Sequence, residues 1–384
     1  EFMSSTFGRV FILTTYGESH GPGLGGVVDG CPAGIALSEA AIQRELDRRR
    51  PGRRAETGQA GTARREPDRV QLLSGVFDGV TTGAPIAFHI ANEDKRSADY
   101  GPLAEVWRPG HADMTYDAKY GLRDHRGGGR SSGRETASRV AGGAVAQALL
   151  AVHGIRVRAF ATEIGGLAAE WTEDDLDGAE DRPYGAASAA VVPFWDELVS
   201  ATRAQGDTLG GVVTVEALGV PAGLGEPVFH KLDAVLAQAL MSVGAVKGVE
   251  VGEGFAAARL LGSQNNDPMR PGALENGFAP VWESNHAGGI LGGISTGAPI
   301  VLRAALKPIP SVARPQRVLT RRGESLEMSI GGRHDICAIP RVIPVLKAMT
   351  ALVLADMLLW QCRMDAARPF RAASESGPSS KEGR

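Results

Sequence analysis

The chain has 384 residues, 43% hydrophobic and 22% charged, with a formal net charge of −3 and a pI near 6.3. That size suits one large domain or two intimate ones, and the composition is that of an ordinary globular protein. The mildly acidic balance excludes a general nucleic-acid binder; three cysteines (Cys31, Cys337, Cys362) without metal-type spacing exclude a structural zinc site and point to a reduced, cytoplasmic compartment.

In chain order, Glu1 and Phe2 ahead of Met3 are read as a cloning remnant. "RVFILTT" (9–15) reads as a strand, and "YGESHGPG" (16–23) then sets His20 among glycines. Ser38 is a cap for a helix that ends at Pro51, where "RRRPGRR" (48–54) forms a basic end that suits the helix dipole. "RPGHAD" (108–113) puts His111 in a second glycine turn. Histidines in such turns face cavities and suit proton transfer.

The stretch "GLRDHRGGGRSSGRET" (121–136) is the most telling. Gly127, Gly128, Gly129 and Gly133 free the backbone to turn N–H groups toward an anion, and Ser131 and Ser132 add hydroxyls. Arg123, Arg126, Arg130 and Arg134 can fork onto phosphate or carboxylate oxygens. A helix follows, so the anion meets a helix N-terminus. No Gly-Lys-Ser/Thr follows the glycines, so this is not a Walker loop.

From Ala137 the stripe Val140, Ala141, Ala144, Val145, Ala148, Leu149 and Val152 predicts a helix stopped at Gly154. Residues 165–200 are acidic with little pattern and are expected to form a peripheral excursion. "GVVTVEALGV" (211–220) and "APIVLRAAL" (298–306) read as strands, and 232–243 as a helix. "GGRHD" (331–335) sets His334 and Asp335 beside Arg333, where basic neighbours can perturb protonation. Residues 341–360 predict an apolar core helix. No uninterrupted apolar run reaches about 18 residues, Asp356 breaking this one, so no membrane span is expected. The tail 372–384 is polar and is expected to be disordered.

Two echoes cross the chain in the same order. "GGVVDGCPAGI" (25–35) matches "GGVVTVEALGVPAGL" (210–224), and "GVTTGAPIAFHI" (79–90) matches "GISTGAPIVLRA" (293–304). They predict a duplicated α+β unit whose halves pack about a pseudo-two-fold, with a site where they meet. The residues alone thus give an enzyme with a large anionic ligand and a few His/Asp groups for proton transfer.

Nine motifs together, "TTYGESHG", "DRRRPG", "RREPD", "RPGHAD", "GLRDHRGGGRSSGRET", "VPAGLGEPVF", "LMSVGAVKGVE", "SNHAGGILGGISTG" and "GGRHD", resemble the chorismate synthase family from about Phe7 to Met364. The resemblance implies helices sandwiched between two antiparallel sheets, a single domain over residues 3–371 and a homotetramer. It implies conversion of 5-enolpyruvylshikimate 3-phosphate to chorismate by anti-1,4-elimination of phosphate and a proton. Reduced FMN is required without net redox change, with NADPH as a candidate source of its electrons. FMN contacts would come from Arg130, Ser131, Ser132, Gly244, Ala245, Gly292, Lys307, Pro308, Ile309, Pro310, Ser311 and Arg333. Arg49 and Arg54 would hold a nicotinamide nucleotide or the substrate's anionic groups, and Arg134 and Arg341 the substrate. His20 would protonate the leaving phosphate. His111 would stabilise or protonate the reduced flavin, and Asp335 would act at its N5 position, relaying removal of the ring proton. Three departures stand out: Ile336 replaces a proline and is expected to loosen its turn, 53–67 is unusually spaced, and 270–289 reads as an extended loop.

Two rival readings follow from the same residues. A flavin reductase would use FMN and a nicotinamide for net redox, although no Gly-x-Gly-x-x-Gly follows a strand. An arginine-rich RNA-binding module conflicts with the pI and with an aromatic content of 5%.

Overall fold

The computed structural model describes residues 5–50, 60, 66–93, 103–274, 277–329 and 334–367, with the backbone alone for 273–274 and 277–279. The chain opens with strands β1 (Thr6–Phe7), β2 (Ile12–Gly17) and β3 (Gly23–Asp29), then helix α1 (Glu39–Arg49). The Ser38 side chain caps α1 by accepting from Ala41 N–H at 3.2 Å, as its sequence predicts. Next come β4 (Val70–Leu72), the small hairpin β5 (Val76–Phe77) and β6 (Val80–Thr81), and β7 (Ile86–Ala91). β8 (Val106–Trp107) and α2 (Asp113–Tyr120) precede the glycine-arginine loop, which coils into two single 3-10 turns before α3 (Thr136–Val152).

β9 (Arg156–Ile164), β10 (Leu167–Ala168), α4 (Val192–Ala204) and β11 (Gly211–Leu218) lead to α5 (Leu232–Met241), β12 (Val246–Val251) and the one-turn α6 (Gly262–Asn265). Two hairpins follow, β13–β14 (Met269–Leu274, Gly277–Trp282) and β15–β16 (Ile290–Leu291, Ile294–Ser295). β17 (Ile300–Leu306), the pair β18 (Pro315–Thr320) and β19 (Ser325–Ser329), and α7 (Ile339–Ala367) complete the chain.

Two antiparallel five-stranded sheets result, in the orders β1-β2-β3-β7-β4 and β10-β9-β11-β17-β12. α1, α3, α5 and α7 pack against one another and lie between them, with α3 touching β2, β3 and β9, and α7 touching β9 and β11. The fold is therefore α+β, helices between two sheets, as the sequence predicts. The main hydrophobic core runs from Leu24 and Phe88 on one sheet through Val140 and Leu352 to Val215 and Leu302 on the other. Gly143 lets α3 and α7 touch: a Cβ there would lie 2.3 Å from the Cβ of Ala348.

The sequence echoes are matched bond for bond. In the first sheet Thr81 Oγ1 donates to Pro32 O (2.6 Å) and accepts from Ile35 N–H (2.9 Å). In the second, Ser295 Oγ donates to Pro221 O (2.6 Å) and accepts from Leu224 N–H (2.9 Å). Backbone pairs repeat too: Gly34 N–H donates to Thr81 O at 2.8 Å, and Gly223 N–H to Ser295 O at 2.9 Å.

Four expectations need correction. Residues 165–200 are no mere excursion, because Tyr184 and Trp195 from this segment are fully buried in the core and α4 begins within it. Its acidic composition hides two aromatic anchors spaced too irregularly to read as an element. Within 270–289 lies the hairpin β13–β14, not an extended loop. α7 is longer than the 341–360 expected: it runs 29 residues through Asp356 and would pass for a membrane span by length and composition, but its apolar length is buried in the core, as the sequence predicts. Ile336 does not loosen its turn: its N–H donates to Ala60 O (2.9 Å) and its carbonyl accepts from Leu209 N–H (2.8 Å), and proline would forfeit the first bond.

Inside α7, Asp356 is buried, and its Oδ1 accepts the backbone N–H groups of Arg9 (3.0 Å), Val10 (2.6 Å) and Phe11 (2.9 Å). A carboxylate in an apolar helix is tolerated because three donors converge on it. The bonds fix the chain immediately before β2, the strand that leads to His20.

Candidate active site

The four arginines of the loop 121–136 divide their work. Arg123 is buried: Nη2 donates to the carbonyls of Leu103 (3.0 Å), Ala104 (3.1 Å) and Val106 (2.7 Å), and Nε lies 3.3 Å from Asp117 Oδ2. Arg126 is half exposed and forks onto Asp124. Of the four arginines able to fork onto anionic oxygens, these two spend their nitrogens on groups of the chain itself: Arg123 on three carbonyls and an aspartate, Arg126 on the neighbouring Asp124. Arg130 reaches back to β2, donating to Thr15 Oγ1 (2.8 Å) and Gly17 O (3.2 Å). Ser131 Oγ donates to Gly128 O at 2.7 Å, and Ser132 Oγ accepts from Arg134 N–H at 3.3 Å.

Arg134 is the buried member. Its Nε donates to Asn92 Oδ1 (2.9 Å), Nη1 pairs with Asp68 Oδ1, and Nη2 is buried without a partner among the described residues. Asp68 is 0% exposed and adopts a left-handed backbone, φ 47°. Its second oxygen receives Arg49 Nη1 at 3.2 Å. Arg49, 2% exposed, also donates to Gly133 O (2.6 Å) and Thr136 Oγ1 (3.1 Å). Burial, and then the nearby charge of Arg341, push the Arg49 guanidinium down to about 9 despite Asp68. Arg341, in the first turn of α7, pairs with Asp335 Oδ2 at 2.6 Å and keeps a buried Nε unpartnered among the described residues. The end of α1 and the starts of α3 and α7 thus bring Arg49, Arg134 and Arg341 together around Asp68 and Asp335.

His20 borders this clamp. Asn92, which holds Arg134, also donates to the carbonyls of Glu18 (2.9 Å) and Gly21 (3.0 Å), fixing the loop that carries the imidazole. Ser19 Oγ lies 3.1 Å from His20 Nδ1. The ring packs on Gly127, φ 81°, where a Cβ would come within 2.4 Å of His20 Cε1.

A second cluster joins the halves. The turn after β8 holds His111, whose Nδ1 lies 2.9 Å from Pro109 O and whose Nε2 lies 2.9 Å from Ser311 Oγ. A carbonyl only accepts, so Nδ1 carries the proton and Nε2 accepts from Ser311. Burial, and then the charge of Arg108, push the imidazole down to about 4, so it is neutral at pH 7. Lys307 Nζ donates to Gly110 O (2.8 Å), and Lys307 N–H to Ala245 O (2.9 Å), bringing 307–311, Ala245 and His111 to one place. Ala245 holds a left-handed φ of 75°, a strained state for a residue with a Cβ. Thr208 Oγ1 fixes Ile309 by donating to its carbonyl at 2.6 Å. His334 belongs to the electrostatic surroundings of His111, while Asp335 faces Arg341, so these neighbours link the two clusters.

Gly292 is not gathered in. It turns the β15–β16 hairpin, whose next residue accepts from Leu232 at the start of α5; Gly244 lies beyond its far end, roughly 15 Å along the axis. Arg54 and Arg333 lie outside the described residues. Sequence reading missed Asp68 and Asn92. Asp68 closes the motif "RREPD"; Asn92, at the end of β7, carries no local signal.

Comparison with known proteins places the chain in a family. The chorismate synthase family profile matches residues 11–359. A chorismate synthase of Nitratidesulfovibrio vulgaris (strain DSM 19637 / Miyazaki F) is 68% identical over 360 residues, covering 94% of this chain and 99% of the relative. One from Oleidesulfovibrio alaskensis is 67% identical over 364 residues, covering 95% and 99%. A crystal structure of chorismate synthase superposes with a TM-score of 0.72 at 35% identity, covering 92% of this chain and 93% of that one. The chain belongs to the chorismate synthase family, enzymes that eliminate phosphate from 5-enolpyruvylshikimate 3-phosphate to give chorismate.

Proposed function

We propose that Arg134 and Arg341 hold the anionic groups of 5-enolpyruvylshikimate 3-phosphate, and that reduced FMN is carried by the adjoining cluster of Gly244, Ala245, residues 307–311 and His111. The observation that carries this is the Arg134 guanidinium, buried yet with Nη2 unpartnered among the described residues. Leaving a charged donor dry and unpaired costs several kcal/mol, and an anionic ligand removes that cost. Asp68 and Asn92 aim the group, and Arg49 braces Asp68 from behind, a placement that suits support better than direct contact with a nicotinamide. The flavin cluster fits its ligand as well: Lys307 offers a cation for a phosphate, and the strained Ala245 opens backbone at the same place.

When bound, reduced FMN supplies transient electron density that eases loss of the allylic phosphate and is not consumed. The chain's own groups manage the protons. His20 delivers one to the departing phosphate, and Asp335, steadied by Arg341, relays the ring proton. His111 is neutral with Nε2 as an acceptor, which favours stabilising over protonating the flavin. Ser131, Ser132, Arg130, Gly292 and Arg333 remain assigned to FMN, and Arg54 to the anionic groups, on resemblance alone.

Finer points accompany this reading. A main core that spans both sheets supports a single domain over residues 3–371 made of two pseudo-symmetric halves, so limited proteolysis should release no stable half. Phe229, 90% exposed, with Phe255 and Leu261, supports a homotetramer, measurable by sedimentation. Three free thiols fit a cytoplasmic location. Anaerobic NADPH oxidation with free FMN tests flavin reduction by the chain itself.

The deciding experiment mixes enzyme, substrate and chemically reduced FMN without oxygen and counts product against oxidised flavin. Many products per flavin, still reduced at the end, are expected. One oxidised flavin per product overturns the reading in favour of a net redox enzyme.

A further inference from the structure

We infer that Asp113 is a positioning residue: its fork with Arg108, braced by Arg123, fixes the imidazole of His111 in the orientation a ligand meets. The inference rests on the reading of His111 as a site residue. Asp113 opens α2, two residues after His111. Its Oδ2 accepts Arg108 N–H (3.0 Å) and Nε (2.8 Å), and its Oδ1 accepts Arg108 Nη2 (2.9 Å), with both side chains buried. Arg123 Nη1 stands 3.4 Å from the same Oδ1, and its other nitrogens hold the strand before the turn and Asp117. Trp107 Nε1 donates to Asp117 Oδ2 at 2.8 Å, so β8 is bound to α2 on either side of residues 108–112.

The consequence for His111 is geometric. Residue 108 is fixed by its own N–H and its fork, residue 113 by the carboxylate, and only four residues span the gap. Within that short bridge the imidazole has one carbonyl, that of Pro109, to receive its Nδ1 proton. From the opposite side Lys307 holds Gly110, and Ser311 meets Nε2. The charged and titratable groups facing the ring are Arg108, Asp113 and His334, with Lys307 at the turn. A bidentate aspartate–arginine pair restrains direction as well as distance, which a single contact cannot do.

The test is nitrogen NMR of ¹⁵N-histidine-labelled, ligand-free protein at neutral pH, with His111 assigned through His111→Gln. Wild type should show one neutral tautomer protonated at Nδ1. In Asp113→Asn and in Arg108→Lys, which keeps the charge but breaks the fork, a tautomer mixture should appear. Turnover should fall about tenfold or more, with KM for the substrate changed less than about threefold. If Asp113→Asn does not fold, Arg108→Lys answers the question alone. The Nδ1 tautomer retained in both variants overturns the inference, whatever turnover does. A tautomer mixture with undiminished turnover upholds Asp113 as the positioning group and removes His111 from the reaction instead.

Discussion

The two halves share a framework and differ in what joins it. β3 and β7 in the first sheet correspond to β11 and β17 in the second, and the hydroxyls of Thr81 and Ser295 make the same two bonds at nearly equal lengths. The connections diverge. From α1 to β4 the chain takes residues 50–69 and delivers Asp68; from α5 to β12 it takes only 242–245 and delivers Ala245. β2 reaches β3 through a short loop bearing His20, whereas β9 reaches β11 through 46 residues, 165–210, that contribute Tyr184 and Trp195 to the core. Each half still sends one arginine from the start of its long helix into the clamp, Arg134 beside α3 and Arg341 in α7, each paired to an aspartate. The repeated framework carries stability, and the unequal connections carry chemistry.

The sharpest way to break that symmetry is at the two arginines. Arg134 has a side chain 4% exposed and Arg341 one 26% exposed, so the first is the less replaceable by water. Arg134→Ala should weaken substrate binding by about 2–5 kcal/mol, and Arg134→Lys should recover only part because the fork is lost. Arg341→Ala should cost less. Calorimetric titration with substrate measures both, and equal losses would show that burial does not rank them.

Asp356 belongs to the second half but secures the first. Asp356→Ala strands two buried N–H groups and a part-buried one, so an unfolding free energy lower by about 3 kcal/mol is expected from denaturant titration. A loss under about 1 kcal/mol would mean that the segment before β2 holds itself.

The twin hydroxyls probe the framework directly. Thr81→Val and Ser295→Ala each remove the hydroxyl's bonds to one N–H and one carbonyl and should each cost about 1–3 kcal/mol, with turnover per folded molecule unchanged. Costs that differ by more than about 1 kcal/mol would break the structural equivalence.

Much of this was legible in the sequence because local rules are strong where the framework repeats. Glycine turns, the Ser38 cap and the helical stripes after Ala137 and Leu232 mark their elements to within a few residues, and Asp356 stood out as a charge in an apolar run. What failed was long-range. Nothing near Arg123 says that its fork is taken up by three carbonyls some twenty residues upstream, and nothing near Asn92 says that it meets Arg134. A side chain's partner is fixed by tertiary packing, and one-dimensional periodicity does not encode it. For the same reason α2, short and only weakly amphipathic, went unread although it carries Asp113.

The smallest effect separates the junction of the halves from the clamp by pH. The folded chain holds the His111 imidazole at about 4, through burial and then Arg108, against an ordinary value near 6.5. As pH falls from 6.5 to 4, the unfolded chain takes a proton on this ring while the folded chain does not. The unfolded state therefore binds more protons across that window, and folding stability falls as pH falls; above about 6.5 both states are neutral and the contribution vanishes. At pH 5 the ideal linkage amounts to about 2 kcal/mol, and partial contact with water reduces it to about 1–2. His111→Gln removes the titration and leaves the carboxylates unchanged, so the stability lost between pH 7.5 and 5 should be smaller in the variant by that amount. Denaturant midpoints for both proteins at the two pH values measure it. An equal acid loss would show that His111 is protonated as readily in the folded chain as in the unfolded one, and that the Ser311 and Pro109 contacts do not hold it neutral.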